Sequence, residues 1–329
     1  MVTDTERARH TAALRGLLYL ACPDAPATAL TATAEAIAQR PQGTPQEAVP
    51  QATQLTEPKL PGDSAHLDLS GADLSGADRS GADLTRATLK GARLIAADLA
   101  DALLIRADLA DADLADALLT RADLANANLM GASLIRANLA SADLTGANLV
   151  GATLTDATLT GARLTGADLV GADLTGAILT NADLINADLT DATLTDARLI
   201  DARLSGANLA GAHLIDANLM GATLIHTVLI GANLAHAHLI GATLTDANLA
   251  NANLDDARLS GANLAGVNLI GTNLANAMHM HIPPRAIWNR ETLWPPELAS
   301  AVAARSDEIR PGVYQVRGGT VPDRSTVQV

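Results

Sequence analysis

Phenylalanine is absent from this chain of 329 residues, and tryptophan and tyrosine occur twice each. A core built on aromatic packing is excluded, so the 48% of apolar residues must be organised as aliphatic ladders. Cysteine occurs once, as Cys22, which rules out an intramolecular disulfide or a cysteine-based metal cluster and fits a reducing, cytoplasmic compartment. No apolar run approaches the roughly 20 residues that a membrane span needs. Cations are scarce: 22 Lys and Arg against 36 Asp and Glu leave a net charge of −14. Lys or Arg clusters with interleaved aromatics are missing, as is a glycine-rich phosphate loop, so direct nucleic-acid binding is disfavoured.

What is present is a repeat. Leucine occupies position 69 and every fifth position to Leu274, a run of 42 pentapeptides with neither insertion nor deletion, broken only by Arg79. Alanine stands two residues before each leucine, except at Leu67, Thr227, Val267 and Thr272. Between the two lies mostly Asp, Asn or Thr, and two residues after the leucine comes mostly Gly, Asp or Asn.

A step of five residues turns about 500° around an α-helix, so the leucines would spiral over every face, and an amphipathic helix is excluded. In extended chain, Ala and Leu two apart share a face, but an odd period would turn the next leucine outward. A corner every five residues removes the conflict, and the Gly, Asp and Asn positions tolerate tight-turn backbone. The chain is therefore expected to wind as an all-β solenoid.

In this pattern the chain closely resembles the pentapeptide-repeat family, from residue 66 to about 277. The resemblance implies a right-handed, four-sided parallel β-helix with one pentapeptide per side and twenty residues per coil. About ten and a half coils would stack into a rod on the order of 50 Å long at the ~4.8 Å spacing of strands. Some relatives imitate duplex DNA, bind a type II topoisomerase and protect it from fluoroquinolones. No cofactor is implied.

Residues 1–40 are expected to form an N-terminal helical cap and 41–63 a Pro- and Gln-rich linker, with the β-helix over 64–279. Residues 280–329 are expected to cap the other end, with a helix near 295–308 and a strand near 312–316. Trp288, Leu293, Trp294 and Leu298 are read as an end plug and a candidate homodimer contact. The stretch "LLYLAC", Leu17 to Cys22, resembles a lipoprotein cleavage site, which would anchor the chain through Cys22. Asp4, Glu6, Arg15 and Tyr19 depart from that pattern, and Leu14, Leu17, Leu18 and Ala21 instead follow the spacing of an amphipathic helix.

The outer surface carries the functional candidates. With a coil of twenty residues, one side stacks Ala110, Met130, Val150, Val170, Thr190, Ala210, Ile230, Ala250 and Ile270, an apolar stripe beside mostly glycine corners. β-Branched residues also suit any strand surface, so the stripe admits a purely structural reading. On the corner that follows the Leu74 side, Asp116, Asp156, Asp196, Asp216 and Asp256 recur, interrupted by Arg136, Gly176 and His236. The repeat holds 24 Asp against 11 Arg or Lys and carries nearly all of the net charge. That is less than half the charge density of B-DNA, about one per 1.7 Å. Aspartate before leucine also has a structural use, since its oxygens reach backbone donors at turns.

Catalysis finds little support, because His213, His226, His236 and His238 project from different sides or corners. "MHMH" at 278–281 has soft donors but falls where the repeat ends. The threonine pairs of "TLT" fall on different sides, so no ice-binding array forms. The expectation is a non-catalytic, bacterial-type scaffold for an unidentified protein partner. The alternative is a DNA-mimicking binder of DNA gyrase or topoisomerase IV. Arg79 falls in the first coil, where its stem can lie over Leu99 with the guanidinium toward the open end. There it is expected to meet the N-terminal cap through an acid such as Glu35 or Asp63.

Overall fold

The computed structural model of the protein describes residues 67–318. The chain divides into two units, Met1–Asp63 and Ser64–Val329, and all described residues lie in the second. The expected N-terminal cap, the linker, Cys22 and the acids Glu35 and Asp63 lie outside the described residues.

Parallel bridges join each residue before a leucine to the one twenty positions later, from Asp68–Thr88 without a break to Arg258–Met278. Four pentapeptides make one coil, and the sides are named here by their first inward residues: Leu69, Leu74, Arg79 and Leu84. Every repeat leucine from Leu89 to Leu254 is at 0% exposure, with the alanines beside them in the same core. Each buried leucine is worth about 1.5–3 kcal/mol, much of it offset by the ordering of the backbone.

The consensus follows from the backbone donors. In the pentapeptide around Leu149, the Ala147 N–H closes a turn onto Leu144 O at 3.0 Å. Asn148 N–H reaches back one coil to Ala127 O, and those of Leu149 and Gly151 reach forward to Asp168 O and Val170 O, at 2.6–2.9 Å. The fifth donor, Val150 N–H, has no backbone acceptor in the ladder and is taken by Asn148 Oδ1 at 3.1 Å. Asp or Asn before leucine therefore completes the accounting that buried or half-buried amides require. Two residues after the leucine, every corner from Gly71 to Gly271 has a positive φ, between 53° and 72°, as the third residue of a type II turn demands.

The departures from alanine at Thr227 and Thr272 are resolved by one bond. Each buried hydroxyl donates to the carbonyl twenty-three residues earlier, Leu204 O at 2.8 Å and Leu249 O at 2.7 Å. Thr292 repeats this to Leu269 O at 2.6 Å, which marks "TLW" at 292–294 as one more, degenerate pentapeptide.

After Ala277 the register slips. Asn268 bridges Ile287, nineteen residues on, whereas Asn273 bridges Leu293, twenty on. Strand β1 (Ile287–Asn289) thus extends the Leu69 side, and a helix α1 (Pro296–Ala304) follows. Strands β2 (Ser306–Arg310) and β3 (Val313–Val316) complete a small antiparallel sheet in the order β1-β3-β2. Trp288 stands edge-on to Trp294, with centroids 6.0 Å apart, and stacks on Tyr314 at 4.8 Å. Its Nε1–H donates to Ser306 Oγ, which donates in turn to Val302 O. Trp294, at 8% exposure, and Val302, at 0%, belong to the core, and Trp288 and Leu298 pack against it.

Three expectations are corrected here. The helix stops at Ala304, and 306–310 is strand, held by pairing with β3 and by Arg317 bonding Asp307 at 3.1 Å. Strand β1 was not foreseen, because the one-residue slip hides it from a five-residue reading. Leu293 is no plug: it holds the outward position before the inward Trp294 and is 53% exposed.

Candidate functional surfaces

The first coil shows what replaces leucine at Arg79. In inner coils the carbonyl before each leucine accepts an amide from the coil before, as Asp168 O does from Leu149 N–H. In the first coil Arg79 Nη1 itself donates to the corresponding carbonyl, Asp78 O, at 2.9 Å. Its amide bonds Asp98 O in the second coil, so the described coils lie on one side of it only. The arginine satisfies an edge acceptor and is half-buried, not enclosed. Asp68, Asp73 and Asp78 each hold the hydroxyl and the amide of the serine two residues on. These bonds keep all three carboxyls below their ordinary range.

The corner stack of Asp116, Asp156, Asp196, Asp216 and Asp256 is as the coil length requires, but its charge is uneven. A corner Asp or Asn turns its oxygen along the rod toward the next coil, and the residue twenty positions later adapts. At Gly131 an added Cβ would lie 2.7 Å from Asp111 Oδ1, and Gly176 stands in the same relation to Asp156. Where the later residue is arginine, the pair closes: Arg136 binds Asp116 through two bonds of 2.6 and 2.8 Å, and Arg121 binds Asp101 likewise. Both carboxyls are lowered by those bonds. Asp196 and Asp216 have neither device and follow each other directly. His236 comes next, its Nδ1 3.8 Å from Asp256 Oδ2.

On the Leu69 side the stripe forms as a continuous column. Met130 and Ile230 are its most open members, at 45% and 41% exposure. Val150, Val170 and Ile270 are half-buried and Ala110 is buried. The column beside it is an amide ladder: Asn128 Nδ2 donates to Asp108 at 2.8 Å and Asn148 Nδ2 to Asn128 at 3.2 Å. Farther along, Asn208 donates to Asp188 at 3.2 Å and Asn268 to Asn248 at 2.9 Å.

The four histidines stay apart, on the Leu74 side (His213), the Arg79 side (His238) and two different corners (His226, His236). In "MHMH", Met280 is buried in the core whereas His279 and His281 are exposed, so sulfur and imidazoles do not converge. Helix α1 turns Leu298 and Val302 toward its own chain and leaves Glu297, Ala299, Ser300 and Ala303 exposed. The dimer contact expected at this end finds no support in that face.

The family model described as "Pentapeptide repeats" matches this chain in overlapping copies from residues 66–99 to 242–278. The chain belongs to the pentapeptide-repeat family. Among solved pentapeptide-repeat structures, HetL of the cyanobacterium Nostoc sp. strain PCC 7120 is 38% identical, with a TM-score of 0.41 over 61% of this chain and 89% of that one. HetL is described as involved in regulating heterocyst differentiation. A trypsin-treated variant of QnrB1, a plasmid-mediated fluoroquinolone resistance protein, is 18% identical, with a TM-score of 0.41 over 47% of this chain and 80% of that one. A protein of the Arabidopsis thaliana thylakoid lumen is 32% identical, with a TM-score of 0.15 over 35% of this chain and 69% of that one. No curated protein matches the sequence.

Proposed function

We propose that this pentapeptide-repeat protein is a non-catalytic scaffold that binds another protein through its outer sides, with the C-terminal segment closing the solenoid. The observation that carries this reading is the Leu69 side, where an apolar column runs from Ala110 to Ile270 beside corners that are mostly glycine. Gly151, Gly171 and Gly231 have open space where a Cβ would stand, whereas side-chain oxygens of Asp111, Asp191 and Asn251 stand over Gly131, Gly211 and Gly271. Contiguous apolar surface of this kind marks interfaces.

The second reading is topoisomerase binding by DNA mimicry, and the run Asp196, Asp216, His236 and Asp256 on one corner favours it. Against it, half of the repeat's aspartates stand before a leucine, where they take up a backbone amide, and Asp116 is neutralised by Arg136. The acidity is thus largely accounted for within the fold. Gyrase supercoiling, assayed with and without a fluoroquinolone, separates the readings. The scaffold reading expects neither inhibition nor rescue at micromolar protein. Rescue that disappears in Asp196→Asn/Asp216→Asn would replace it with the mimic.

A further inference from the structure

The arginines of the repeat are distributed unevenly around the coil. Between Asn126 and Gly271 there are five: Arg136 on a corner, Arg163 and Arg203 on the Leu84 side, Arg198 and Arg258 on the Arg79 side. Within that span the Leu69 side and the two corners that flank it carry none. Their charged residues are Asp168, Asp188, Asp191 and Asp246. On the Leu84 side two carboxylates meet arginines one coil away, Asp143 with Arg163 and Asp183 with Arg203, both at 2.9 Å. None of the four on and around the apolar side is ion-paired with an arginine among the described residues, although Arg285 Nη2 comes near Asp246 at the C-terminal end of the side.

The same side is largely preordered. Apart from the flexible Met130 its outward residues are short, β-branched or amide, and amides are bonded along the ladder. Asp168 and Asp188 fix the amides of Val170 and Thr190 at 3.1 and 3.0 Å. Little rotamer freedom remains to be lost on contact, which favours association. Through β1 and β3 the sheet on this side also runs on past the last regular coil.

Resting on the scaffold reading, we infer that the Leu69 side binds a cationic amphipathic segment, an apolar row with Lys or Arg flanking it, presented by a partner protein. The apolar row lies along Met130, Val150, Val170 and Ile230, and its cations meet Asp168, Asp188, Asp191 and Asp246. Exposed charge of one sign beside an apolar stripe selects such a segment and repels an acidic one.

Titration of the full chain with a synthetic amphipathic helix of leucine and lysine tests this, with a leucine–glutamate helix of the same pattern as control. The lysine peptide should bind and the glutamate peptide should not. Binding should weaken at least tenfold in Val150→Lys/Val170→Lys/Ile230→Lys and several-fold in Asp168→Asn/Asp188→Asn. In Asp196→Asn/Asp216→Asn, on another corner, it should stay within twofold. Circular dichroism confirms that each variant is folded. Equal weakening by both pairs of Asp→Asn changes would show non-specific charge attraction and overturn the inference, as would binding that the lysine substitutions leave intact. If the lysine peptide fails while capture of a host protein still depends on Val150, Val170 and Ile230, the partner class falls and the scaffold reading stands. Capture that ignores these three residues sinks both.

Discussion

Asp68, Asp73 and Asp78 hold a serine amide and hydroxyl each, and Asp83 holds the amide of Thr85 at 3.0 Å. The bonds lower the carboxyls below 3.8, so their contribution is complete above that value and is lost as pH falls through the depressed one. Amide protection factors at Ser70, Ser75 and Ser80 should therefore drop below about pH 4. Those at Val150 and Ile270, bonded to neutral Asn148 and Asn268, should hold. The corners give a second test. Gly171→Ala meets open space and carries only the left-handed penalty of about 1–2 kcal/mol. Gly211→Ala must also displace the Asp191 carboxylate, so its melting temperature should fall further, and Asp191→Ala should erase the difference. Thr272→Val should cost about 1 kcal/mol in chemical denaturation through the lost bond to Leu249 O.

The repeat could be read from its period because each position answers to a separate demand: inward volume, a free amide, a left-handed corner. The end could not, because β1 depends on a one-residue slip and β2 on partners distant in sequence. Ser306–Arg310 looks like a continuation of α1 until β3 is seen to pair with it. Trp294 was legible in part, since Thr292, Leu293 and Trp294 keep the spacing of alanine, outward residue and leucine. That same spacing would have placed Leu293 outward. Trp294→Ala should cost about 3–5 kcal/mol and release the near-ultraviolet dichroism of the Trp288–Trp294–Tyr314 cluster. Leu293→Ala, at an exposed position, should change neither.

At the scale of the molecule, the coil length turns a one-dimensional text into four columns of side chains, and function has to be sought in the differences between columns. The stripe and the acidic corner were both visible once twenty residues were assigned to a coil. Which carboxylates are answered by an arginine or a glycine emerged only when neighbouring coils were placed against each other. The central claim is that the Leu69 side is the contact surface. A photo-crosslinking residue placed at Val170, with controls at Thr165, Thr175 and Thr180 on the other three sides, tests it most directly in host extract. The account predicts one discrete crosslinked protein from position 170 and none from the other three. Crosslinking from the other sides with position 170 silent would contradict it.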